Sequence, residues 1–131
     1  MSNASSTSSA SPGGPPPARL SHVIVDCADP EALAGFWAGV LGVEVDHRTG
    51  PYVFLRPTAE GGPALGFQRV PEPKRVKNRV HLDLLTDELD VVVADLLARG
   101  ATHLDSVDDD GLRLEVLADP EGNELCVVRR S

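Results

Sequence analysis

The stretch NRVHLDLL, residues 78–85, sets a histidine two positions before an aspartate. On the two-residue period of a β-strand, Val80, Leu82 and Leu84 fall on one face and Arg79, His81 and Asp83 on the other. An ionised carboxylate is costly to bury unless it is paired, so the polar face must look onto water, a partner, a metal or a ligand. A second apolar run, RLSHVIVDC (19–27), repeats the arrangement, with Leu20, His22, Ile24 and Asp26 in phase.

The elements that would position these residues also come in pairs. After the first histidine run, Asp29 is a good N-cap and Pro30 suits the first helical turn. Leu33, Phe36, Trp37, Val40 and Leu41 then follow helical spacing up to Gly42. After the second run, Thr86 or Asp87 can cap, and Leu89, Val92, Val93, Leu96 and Leu97 draw the same stripe up to Gly100. From His22 to Gly42 is 20 residues and from His81 to Gly100 is 19, which marks an internal duplication.

Three short strands follow each helix, at about 43–48, 51–57 and 64–70, then at about 102–107, 112–118 and 124–129. Each half is therefore βαβββ: module one over 19–70, module two over 79–130, joined by the linker PEPKRVKN (71–78). The acidic run Asp108 to Asp110 with Gly111 reads as a hairpin rather than a calcium loop. Strand phase places Gln68 on one face of the last strand of module one, and Glu124 and Cys126 on one face of the last strand of module two. Two equivalent sheets would bring His22, Gln68, His81 and Glu124 or Cys126 around one concavity.

Composition narrows the function classes. The chain of 131 residues fits one domain. Residues 1–18 carry no charge and few apolar side chains, which predicts a disordered tail and no secretory signal. No stretch is long and apolar enough for a membrane span. The net charge of −8 argues against a nucleic-acid backbone as partner and favours neutral or cationic ligands. Cys27 and Cys126 lie far apart without CxxC spacing, which fits reduced thiols in a cytoplasmic protein. Gly61, Gly62 and Gly122 precede no helix, so no phosphate cradle and no nucleotide cofactor are expected.

The duplicated βαβββ pattern, the histidine on the first strand of each half and the DPEGN turn resemble the glyoxalase, bleomycin-resistance and dioxygenase superfamily, also called vicinal oxygen chelate proteins. FQRVPEPKRVKNRVHLDL and DPEGNELCVV are similar to its glyoxalase-like group. The resemblance covers about residues 19–130 and implies an α+β fold in which the two modules build an eight-stranded incomplete barrel, a cup, within a homodimer. It also implies a divalent metal in that cup. His22 and His81 match two ligand positions; Gln68 falls near a third, and Cys126 stands where a glutamate is usual, with Glu124 two residues earlier on the same face.

Two function classes follow. The first is a metal-dependent lyase, isomerase or dioxygenase acting on a substrate with vicinal oxygens. In it His22, His81 and Glu124 hold Fe, Ni, Zn or Mn, Glu124 or Asp83 moves a proton, and Gln68, Arg79, Asp26 and Cys126 contact substrate. The second is a metal-free binder of a small molecule or drug. Plainer readings accompany each residue: hydrogen-bonded core histidines, a salt bridge from Asp83 to Arg79 or Lys77, Asp26 ending its strand, and Cys126 as a small buried strand residue. The basic cluster Lys74, Arg75, Lys77 and Arg79 is either a solvated linker or a means of steering an anion toward the cup.

Overall fold

In the computed structural model, which describes residues 14–129, the elements run β1 (His22–Cys27), α1 (Pro30–Leu41), β2 (Val45–Thr49), β3 (Tyr52–Leu55) and β4 (Ala64–Arg69), then β5 (Leu82–Thr86), α2 (Leu89–Ala98), β6 (Thr102–Asp109), β7 (Leu112–Ala118) and β8 (Glu124–Arg129). This is the βαβββ pattern twice. Most of the expected tail lies outside the described residues; residues 14–18 are exposed and form neither helix nor strand.

The eight strands form two sheets of four, ordered β1-β4-β3-β2 and β5-β8-β7-β6, and they do not close into a barrel. In each module the first and last strands pair parallel, across the helical crossover such pairing needs, and the remaining pairs are antiparallel. The alternation along β1 decides its faces: Val23, Val25 and Cys27 turn inward, while His22, Ile24 and Asp26 stay exposed. Leu125 and Val127 of β8, Leu117 of β7 and Phe67 of β4 are fully buried and join Leu33, Phe36, Trp37 and Leu96 in one continuous core. α1 packs on β3 and β4, and α2 on β8, so each sheet keeps its other face open.

Local chemistry sets the boundaries. Asp29 caps α1 by accepting from the Ala32 amide at 3.2 Å, and Gly42 ends the helix at φ 69°. At α2 the expectation shifts by a residue or two: Glu88 is the N-cap with no side-chain bond to the helix, and Thr86 instead accepts from the Glu88 amide at 2.9 Å. Asp110 and Gly111 both have positive φ and make the two-residue turn joining β6 to β7, as the DDDG sequence predicts. β5 begins at Leu82, so His81 sits just ahead of the strand and Val80 is 68% exposed instead of facing the core.

One buried acid was not expected. Glu115 of β7 accepts from Ser106 and from His103 at 2.7 Å beside the register shift in β6. Ser106 first and His103 second hold its carboxyl below the ordinary value of 4.5. The unfolded chain takes up that proton more readily, so the stabilisation is complete above the ordinary value and is lost as pH falls through the lower folded one. Glu115→Gln is expected to cost about 1 kcal/mol at neutral pH, a modest figure because His103 is 41% exposed and water competes there. The gap between wild type and variant in urea midpoint should close on going from pH 7 to about 3.

Candidate functional site

The open face of the second sheet gathers a compact set of donor atoms. In the parallel register of β5 and β8, Asp83 stands beside Cys126. His81 Nδ1 lies 3.1 Å from Asp83 Oδ1, and one ligand atom from each of His81, Asp83 and Cys126 lies within 4.8 Å of the other two. No other group of three such side chains meets this spacing among the described residues. His81 and Asp83 are exposed and Cys126 half-buried, so the cluster opens to solvent. Burial pushes the Cys126 thiol above its ordinary value, the Asp83 charge and hydrogen bond add to that, and the Lys77 ammonium opposes it. Cys27, by contrast, lies in the core, where burial first and the nearby Glu121, Asp26 and Asp29 charges next push its thiol up to about 11. Both cysteines are free.

The expected set His22, His81 and Glu124 does not come together in one chain at this spacing. His22 is exposed on β1, with Nδ1 3.2 Å from Ser21 Oγ and its ring edge-on to Phe54 at 5.2 Å. Glu124 turns to the linker instead, accepting from the Asn78 amide at 2.9 Å and from Lys74 Nζ at 3.3 Å. The Asn78 bond is the main cause that holds its carboxyl below the ordinary range, and a carboxylate so stabilised is a weaker base. Asp83 pairs with His81; neither Arg79 nor Lys77 forms an ion pair with it. Gln68 lies across from Asp26 on one side and Tyr52 on the other, half-buried on the open face of the first sheet. Asp26 is exposed, and the amides of Ala28 and Asp29 that it might have capped are taken by Glu121 at 2.7 and 2.8 Å.

The open face of the first sheet holds a row of rings. Tyr52 and Phe54 stack at 5.4 Å, and Phe54 and His47 at 4.6 Å. Gly66 beneath them leaves the room: a Cβ there would come within 2.8 Å of the Phe54 ring and 2.7 Å of Ile24.

Between the modules, a cavity of about 530 Å³ is bounded by the linker, β1 and the start of β8. Trp37 and Asp119 stand in its wall. Asp119, 3% exposed, accepts from Trp37 Nε1 at 3.1 Å and from the amides of Glu121 at 2.9 Å and Asn123 at 3.0 Å. This fastening of module two to α1 escaped the sequence reading, although the indole of Trp37 on a buried helical stripe called for an acceptor. Among the described residues no helix is long and apolar enough to cross a membrane.

The glyoxalase-like domain model matches residues 22–128. No curated protein matches the chain in sequence. A solved glyoxalase/bleomycin resistance protein/dioxygenase family enzyme from Burkholderia phytofirmans PsJN is 24% identical, with a TM-score of 0.71 over 86% of this chain and 98% of its own. A glyoxalase/bleomycin resistance protein from Albidiferax ferrireducens T118 is 25% identical, with a TM-score of 0.64 over 86% and 98%. Oxidase ChaP-H1 is 26% identical, with a TM-score of 0.65 over 87% and 97%. With most of its length matched and its two βαβββ modules in place, the chain belongs to the glyoxalase-like domain family.

Proposed function

We propose that the protein acts on a small molecule with vicinal oxygens, using a divalent metal ion held by His81, Asp83 and Cys126. The observation that carries this reading is the close approach of one nitrogen, one oxygen and one sulfur donor on an open face. Imidazole and thiolate favour Zn, Fe(II) or Ni over Mn. A bound ion of this kind supplies Lewis-acid polarisation of a substrate oxygen. Around it, Asp83 orients the His81 ring through Nδ1, and Glu124 fixes the linker beside the cluster. His22, exposed on the open face of the other sheet, is the candidate to complete the site when a second copy stands against the first. A homodimer would also cover Ile24 and Leu85, which are 40% and 58% exposed on those faces.

A second reading, a metal-free binder of a flat ligand, draws on the ring row of Tyr52, Phe54 and His47. Cobalt(II) loading separates the two. Metal-binding protein should retain about one equivalent by elemental mass spectrometry and show a thiolate-to-cobalt charge-transfer absorption. Cys126→Ser should abolish that band and weaken retention at least tenfold, roughly. Wild type that keeps less than about a tenth of an equivalent, or a band untouched by Cys126→Ser, rules out this site.

A further inference from the structure

The linker presents an imbalance of charge that the cluster on β5 and β8 does not explain. The chain has 20 acidic and only 12 basic residues; Arg48, Arg56, Arg99 and Arg113 each pair with an acid, as that excess leads one to expect, while Arg19, Arg69 and Arg129 pair with none within 4.0 Å among the described residues. Lys74 follows that expectation, since it bridges to Glu124 and to the Val76 carbonyl. Arg75, Lys77 and Arg79 do not: none forms an ion pair within 4.0 Å among the described residues, and all three line the cavity between the modules.

The opposite wall is of a different kind. Val23, Val25 and Leu82 contribute apolar surface to the cavity, and its volume of about 530 Å³ lies within the range of small-molecule sites. The other carboxylates in the wall are accounted for: Asp119 is saturated by Trp37, Glu121 and Asn123, and Glu124 by Lys74 and Asn78. Asp26 stands on the β1 side, away in sequence from the three cations, and would repel an anion seated against it.

We propose that this cavity binds a small carboxylate with an apolar body, its anionic group held by Arg75, Lys77 and Arg79 and its body laid against Val23, Val25 and Leu82. The net charge of −8 biases the molecule as a whole toward cations, but charges more than about 10 Å away are largely screened at ordinary ionic strength, so the local cations decide. The site does not depend on a metal at His81, Asp83 and Cys126.

The test is isothermal titration of the full chain with 1-naphthoate, and in parallel with the neutral 1-naphthalenemethanol, in the presence of EDTA. Naphthoate should bind with a Kd of about 1 mM or below, the range its size allows. The triple variant Arg75→Gln, Lys77→Gln, Arg79→Gln should weaken naphthoate by about tenfold or more and leave the alcohol unchanged. All three side chains are exposed, so the variant should fold; should it not, the ionic-strength dependence of the wild type decides. Affinity that falls between about 20 and 300 mM salt upholds the site. It is overturned by equal affinity for acid and alcohol, by naphthoate binding that salt leaves unchanged, or by the absence of binding at about 5 mM. Because EDTA is present, failure here leaves the metal reading standing, and failure of cobalt loading leaves this site standing.

Discussion

Asp119→Ala is expected to destabilise the protein by about 3–5 kcal/mol. The carboxylate is 3% exposed and serves four separate donors: the Trp37 indole, the Glu121 backbone amide, and the backbone and side-chain amides of Asn123. Truncation takes the acceptor from all of them; the Trp37 indole is buried and the Glu121 and Asn123 donors are half-buried, and an unsatisfied buried donor costs about 1–3 kcal/mol. The loss is not confined to one turn. Trp37 belongs to α1 and Asp119 follows β7, so the change also loosens one module from the other. Asp119→Asn keeps one acceptor oxygen and should cost roughly half as much. Chemical denaturation monitored by tryptophan fluorescence reads both effects, because the only Trp is the residue bound. An Asp119→Ala midpoint within error of wild type would show that the contact holds nothing.

Phe67→Ala should cost a similar amount, about 3–5 kcal/mol, by a different route. The ring is 0% exposed in β4, with Val25 of β1 and Val53 of β3 as its register neighbours. Its removal leaves a cavity that β-branched neighbours fill poorly, so the cost contains both lost transfer free energy and lost contacts. Phe67→Leu should restore most of it, to within about 1.5 kcal/mol. Urea titration of the pair checks this. Equal costs for Ala and Leu would point to a loss of ring-specific contact in place of volume. Since β4 also carries Gln68 and Gly66 on its open face, Phe67→Ala is expected to disturb the ring row above them.

Much of this architecture can be read along the chain because it rests on local periodicity. The helical stripes through Leu33 and Trp37 and through Leu89 and Leu96, the Asp29 cap and the Asp110–Gly111 turn depend on neighbours in sequence. Strand phase likewise sets His22 with Asp26, His81 with Asp83, and Glu124 with Cys126 on shared faces. Phase, however, names a face and not a neighbour. The meeting of Asp83 with Cys126 is set by the parallel register of β5 on β8, which no stretch of either strand encodes alone. Glu124 shows the same limit, since its partners Asn78 and Lys74 lie 46 and 50 residues away and turn it from the histidine toward the linker. The ties made by Asp119 to Trp37 of α1 and by Glu121 to the amides of Ala28 and Asp29 just ahead of that helix span 82 to 93 residues, and a DPEGN motif read locally is only a turn.

The parallel pairing of first and last strands imposes an order of assembly. β1 has no sheet partner until β4 exists, and β5 none until β8 does, so neither sheet can form by simple accretion of hairpins. During synthesis module one can finish once Arg69 is free, whereas module two must wait for the strand that ends at Arg129. Until then β5 presents an unpaired edge, and Trp37 in the finished module has no acceptor for its indole. Docking of the modules is therefore a late event, and loop closure over such distances is slow. The period in which a nascent chain is exposed to mispairing is set by the arrival of β8.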